Sequence, residues 1–140
     1  TPTWYGMFLP TGESTPTLDA MHRVWTGSEP EQAAPEVGHI GSPIALRRVR
    51  PGVETWAEID ATDADRDDLT YTWTISREST ARHVGGDRED VPESFPDLIL
   101  TSGPRATLTT PSEPGAYRLF VTVTDGTGRA GTANVPFFVE

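Results

Sequence analysis

The chain has 140 residues, 21 of them acidic and 11 basic, for a formal net charge of −10, so a phosphate backbone is repelled instead of gripped. It has no cysteine, which excludes disulfides, thiolate metal sites and thiol nucleophiles but leaves secretion open. No apolar run is long enough to span a bilayer as a helix, so neither nucleic acid nor membrane is an expected partner.

The length suits one domain plus an extra element, enough to bury a real core. The chain opens at Thr1 without a Met and without a signal peptide, which reads as a piece of a longer protein. Thr3 to Leu9, containing Trp4, Tyr5, Met7 and Phe8, reads as a short, fully apolar strand. Ser14 or Thr15 then offers a helix N-cap, Pro16 suits the first helical position, and Gly27 suits a left-handed C-cap. Between them Leu18, Met21, Val24 and Trp25 fall on one helical stripe. Residues 1–27 are thus expected to form a β–α unit whose apolar surface wants a partner. Gly27 to Pro35 mixes proline, glycine and charge and reads as a linker. The expected division is 1–35 for the β–α segment and linker, and 36–140 for the rest.

From about residue 36 the pattern turns all-β. Strands are expected at Ile44–Arg48, Val53–Ile59, Leu69–Ser76, Arg105–Thr109, Tyr117–Thr124 and Ala133–Val139. Turn chemistry separates them at Pro51-Gly52, Gly103-Pro104, Pro114-Gly115 and Asp125-Gly126. Glu78 to Pro96 is polar, holds Gly85-Gly86, and reads as a long loop. Short strands at this spacing predict a mostly β chain, an immunoglobulin-like antiparallel β-sandwich with one N-terminal helix. Alternation points Tyr117, Leu119, Val121 and Val123 inward, together with Leu69, Tyr71, Trp73, Ile75, Val135, Phe137 and Val139. These three strands are expected to share a sheet, with Trp73 central, and Val53, Ala57 and Ile59 are expected to fill the facing sheet. The same assignment pushes Trp56, Phe120 and Phe138 outward, where each needs a cover or a job.

Gly115 to Gly126, GAYRLFVTVTDG, resembles the G-x-Y-x-v-x-V-x-V-x-D strand of polycystic-kidney-disease-like (PKD-like) domains, and Asp63 to Trp73 is similar to their earlier strand. The likeness covers roughly residues 37–140 and implies the sandwich strongly and a function weakly. Trp4-Tyr5-Gly6-Met7-Phe8 followed by Met21 to Gly27 is similar to the last strand and last helix of a glycoside hydrolase (β/α)₈ barrel. Taken together, the resemblance implies an accessory sandwich of a secreted bacterial glycoside hydrolase, with the catalytic domain in cis as a partner. If the first unit is a barrel remnant, the resemblance also implies that Trp4 matches an aromatic beneath the sugar of the parent active site. The other reading packs this strand and helix on the sandwich's own Phe120 and Phe138.

Two kinds of chemistry are open. The loop after the first long strand carries Asp63, Asp65, Asp67 and Asp68, with Asp60 just before it and Asp125 at a later strand end. Alternating carboxylates on a turn can converge on one structural calcium ion, which takes six to eight oxygens. They equally serve as a solvated turn that blunts edge-to-edge pairing. Sugar binding needs a flat aromatic face flanked by planar polar groups. Trp56 between Glu54 and Glu58 has that pattern, and Trp4, Tyr5 and Trp25 are further candidates. Burial of Trp56 under the 78–96 loop or a neighbouring domain is the competing reading.

No catalytic residues stand out, and a non-enzyme is expected. His22, His39 and His83 lie in helix, linker and loop, and Gly85-Gly86 lacks the lysine of a phosphate loop. His83 beside Asp87 offers at most a two-residue metal pair. The reading is a non-catalytic module binding plant-type β-glucan polysaccharide through surface aromatics. The alternative is a structural spacer, with or without calcium, that packs on and orients the catalytic domain.

Overall fold

Period-two alternation becomes a sheet wherever one face can be buried, and the long strands of this chain follow that rule. A computed structural model describes residues 6–79 and 91–140. In chain order the elements are helix α1 (Pro16–Thr26), β1 (Glu36–Val37), β2 (Arg48–Val49), β3 (Glu54–Glu58), β4 (Ala61–Thr62) and β5 (Thr70–Arg77). A single 3-10 turn at Pro96–Leu98 follows, then β6 (Arg105–Thr109), β7 (Gly115–Thr124) and β8 (Ala130–Val139).

One sheet has the order β2-β8-β7-β5, and two pairs, β3-β6 and β1-β4, complete the strands. The expected three-strand sheet is present, with Trp73 opposite Val121 and Leu119 opposite both Ile75 and Val135. Tyr117, Leu119, Val121 and Val123 are buried on its inner face, with Trp73, Ile75, Phe137 and Val139. Ala57 and Ile59 meet them from the other side with Ala106 and Leu108, in one continuous core. Two sheet faces over a shared core, with helix α1 outside, make the described residues mostly β and consistent with a β-sandwich. The Trp73 indole N–H donates to the Gly103 carbonyl at 2.8 Å, so the central aromatic is buried with its polar atom satisfied. Tyr117 lies between Phe137, stacked at 5.7 Å, and Phe95, edge-on at 5.9 Å.

The structure departs from the sequence expectation at several points. Ile44 to Arg48 is not a strand. Residues 43–46 form a turn in which Ala45 N–H donates to Ser42 O, and Leu46 takes a left-handed φ of 58°. Pro43 cannot donate to a ladder, so pairing starts only at Arg48, where β2 joins β8 in parallel. Val53 has the inward parity but lies before β3 begins and is 45% exposed. The short pair β1-β4 was not expected, because two-residue strands carry no period. Of the apolar segment expected as Thr3 to Leu9, the described residues 6–9 hold one bridge position, Phe8, which pairs with Ser14 across the turn at 10–12.

The helix forms as expected. Pro16 opens it, and Gly27 closes it at φ 72° with its N–H donating to Arg23 O. Thr15 is the N-cap by backbone, yet its hydroxyl donates to Gly6 O at 2.8 Å instead of capping. The expected apolar stripe does not face the core. Leu18 and Met21 are half-buried, whereas Val24 is 81% and Trp25 72% exposed. The buried residue of α1 is Asp19, at 2%. Its Oδ1 accepts from Arg129 Nη1 at 2.9 Å and its Oδ2 from the Ala34 backbone N–H at 2.7 Å. The helix is therefore held to the sandwich by a buried ionic anchor at the β7–β8 turn. The following segment is tied down as well, since Ala34 and Pro35 are buried and a Cβ on Gly131 would lie 2.4 Å from Pro35 O.

Candidate functional site

Trp56 stands on the outer face of β3, and the pairing with β6 sets its surroundings. Glu54, Trp56 and Glu58 lie opposite Thr109, Thr107 and Arg105. The indole is half-buried and both glutamates are exposed. The Arg105 guanidinium sits over the ring, 4.2 Å from its centroid, and Arg105 Nη1 is 3.2 Å from Glu58 Oε2. One ring face is thus occupied by a fixed cation, with carboxylate and hydroxyl groups in the rows beside it. Phe138 is covered similarly by the Arg48 guanidinium at 4.7 Å. Trp25 lies on α1, beside a small pocket lined by Leu18, His22 and Pro30. No common element brings Trp25 and Trp56 together. Trp4 and Tyr5 lie outside the described residues, as do His83, Asp87 and the Gly85-Gly86 pair.

The acidic residues are placed around one end of the sandwich, and much of their capacity goes to backbone. Asp125 is buried at the end of β7, where Oδ1 accepts from the N–H groups of Thr127 and Arg129 at 2.8 and 3.2 Å. Its Oδ2 accepts from the Thr127 hydroxyl at 2.9 Å, so this carboxylate shapes the turn into β8. Asp63 Oδ2 accepts from Asp67 N–H at 2.9 Å, and Asp65 Oδ2 from Ala33 N–H at 2.8 Å. Asp63 Oδ1 is buried without a partner among the described residues. The Asp67 carboxyl is pushed above its ordinary value, first by desolvation, then by Asp63, Asp125, Asp65 and Asp68. Asp60 and Asp68 are exposed. Among the described residues, no group of three or more His, Asp or Glu is arranged to hold a metal ion.

A third feature was not singled out from sequence. The outer face of the β5-β7-β8 sheet floors a cleft of about 890 Å³. Phe120 lies in it, and Phe8 and Leu9 of the N-terminal turn form part of one wall. The outward parity of Arg118, Phe120 and Thr122 was legible from sequence. The reading that packs the N-terminal segment on Phe120 and Phe138 meets a split outcome: Phe8 and Leu9 line the cleft that holds Phe120, whereas Arg48 lies over Phe138.

No protein-family model matches the sequence. No curated protein matches it either. Among solved structures, the chain is similar to the endo-β-1,4-mannanase from Thermotoga petrophila, at 14% identity and a TM-score of 0.41. That match covers 85% of this chain and 22% of the mannanase, so the chain spans about a fifth of that protein's length. Among the described residues, no helix is long and apolar enough to cross a membrane.

Proposed function

We propose that this chain is a non-catalytic, PKD-like accessory sandwich of a secreted glycoside hydrolase, acting as a spacer that docks on and orients the catalytic domain. One observation carries the reading: the apolar C-terminal end of α1 is exposed. The helix's buried anchor is the charged Asp19, while Val24 and Trp25 stand 81% and 72% exposed at its C-terminal end. An exposed apolar helix end on a rigidly held helix is suited to a protein interface. A helix fixed by Asp19, Arg129 and Ala34 also transmits orientation, because it cannot swivel without breaking buried bonds. The PKD-like assignment rests on the two motif segments, which form the neighbouring strands β5 and β7.

The test compares the 140-residue chain with the polypeptide that carries it. Val24→Ser with Trp25→Ser leaves the isolated sandwich folded and uncouples its unfolding from that of the catalytic domain. A single coupled transition that survives the double substitution overturns the spacer reading.

A second reading, polysaccharide binding at Trp56, is favoured by the half-exposed indole between Glu54 and Glu58. The Arg105 guanidinium, oriented by Glu58, presents further donors beside the ring. Retardation of the chain in β-glucan gels, abolished by Trp56→Ala, is the result this reading requires. Calcium enters either reading only as a stiffener of the Asp60 to Asp68 loop with Asp125. The unpartnered Asp63 Oδ1 and the mutual repulsion felt by Asp67 favour it.

A further inference from the structure

Phe120 and the eight positions around it form a regular grid on the outer sheet face. Register places Thr74, Phe120 and Asn134 in one row, Ser76, Arg118 and Pro136 in the row on one side, and Thr72, Thr122 and Thr132 on the other. With strands about 4.8 Å apart and same-face residues about 6.8 Å apart along each strand, the grid spans roughly 10 by 14 Å. One aromatic ring therefore sits among hydroxyls, an amide and a guanidinium. The cleft above it, about 890 Å³, falls within the usual range of ligand sites, about 300–1,000 Å³.

The polar groups select the class of occupant. Arg118 Nε donates to Glu78 Oε2 at 2.9 Å and Oε1 at 3.2 Å, and Arg118 Nη1 donates to Asn134 Oδ1 at 2.6 Å. The cation is neutralised in place, so the floor offers no net attraction to an anion. These bonds also fix the Asn134 amide, leaving its N–H₂ group as an oriented donor. Among the described residues, the side-chain hydroxyls of Thr74, Ser76, Thr122 and Thr132, all of which line the cleft, have no hydrogen-bond partner. Phe8 and Leu9 add an apolar wall beside Phe120, but a floor this rich in hydroxyl and amide groups is a poor seat for an acyl chain. A peptide adding as a strand needs a sheet edge, and this is a sheet face. What fits a flat ring ringed by neutral donors and acceptors is a neutral chain of polyhydroxylated rings.

We infer that the cleft over Phe120 is a binding site for a neutral glycan chain, which stacks on Phe120 and exchanges hydrogen bonds with Asn134 and the threonine rows. It shares only the ligand class with the Trp56 reading, lies on the opposite sheet, and does not depend on docking of α1.

The test is native affinity electrophoresis of the 140-residue chain in gels containing mixed-linkage β-glucan, glucomannan, arabinoxylan or dextran. Phe120→Ala, Asn134→Ala and Trp56→Ala run alongside, each checked for folding by thermal unfolding. The expected result is retardation by at least one of these polymers, weakened about tenfold or more by Phe120→Ala and by Asn134→Ala and unchanged in Trp56→Ala. If Phe120→Ala does not fold, Asn134→Ala carries the test alone. Retardation by none of the four polymers overturns the inference, as does retardation that the folded cleft variants leave unchanged. Loss in Trp56→Ala alone overturns it too, and assigns binding to the β3-β6 face.

Discussion

Asp19 and Arg129 meet at 2.9 Å across 110 positions of sequence, with the Asp19 side chain only 3% exposed. This pair fixes the helix to the sandwich where apolar packing usually does. Breaking it from the arginine side strands a carboxylate in a dry site, a change that costs about 3–5 kcal/mol in comparable buried pairs. Arg129→Ala is expected to lose stability near the lower end of that range, because the Ala34 N–H still serves Asp19 Oδ2. Chemical denaturation measures the loss. Hydrogen exchange at the Ala34 amide rises with it if the anchor and the linker open together.

Gly131 shows how closely the linker lies on β8. A Cβ there would come within 2.4 Å of Pro35 O and 3.0 Å of Val37 Cγ1. Gly131→Ala is expected to destabilise by about 1–3 kcal/mol, the usual cost of overpacking. The loss should appear as faster exchange over residues 33–37, with the β5-β7 ladder unaffected at low denaturant.

Asp67 sets a pH dependence of definite sign. Its folded-state carboxyl is raised by desolvation and by four neighbouring aspartates, so its charged form is the disfavoured one. Its contribution is fully present below the ordinary carboxylate range and is lost as pH rises through the raised value. Asp67→Asn should therefore raise the Tm at neutral pH, with the gain shrinking as pH falls through the raised value and gone below the ordinary carboxylate value of about 4. Calorimetry at the two pH values checks this. If calcium stiffens the loop, millimolar calcium raises the Tm of the natural chain and the substitution abolishes that rise.

Trp56 should report on Arg105. Arg105→Ala removes the guanidinium over the ring, which uncovers one indole face. Stability should change by no more than about 1 kcal/mol, as for an exposed pair, while hydroxyl-radical labelling of Trp56 increases. Unchanged labelling would mean the arginine does not cover the ring in solution.

The sandwich strands were legible because β5, β7 and β8 bury one face each, and a one-residue slip would expose Leu119 or Trp73. Helix α1 was legible from Pro16 and Gly27, which encode its ends by local geometry. Its orientation was not. Val24 and Trp25 read as a core stripe only if the sandwich is their partner, and no local pattern marks Asp19 as the residue that goes inside. The same limit hid the cleft, whose floor has readable parity but whose walls come from remote segments. At the acidic loop the residue types were plain, yet Asp63, Asp65 and Asp125 turn out to bond backbone N–H groups, an allocation that depends on how the turns fold.

The most direct test of the spacer account is residue-resolved hydroxyl-radical footprinting of Val24 and Trp25, in the isolated 140-residue chain and in the longer polypeptide with a catalytic domain that the account requires. The account predicts strong labelling of both residues in the isolated chain and several-fold protection in the longer polypeptide, with Trp73 equally protected in each. Equal labelling of Val24 and Trp25 in the two samples would contradict it, because the exposed end of α1 would then have no docking partner.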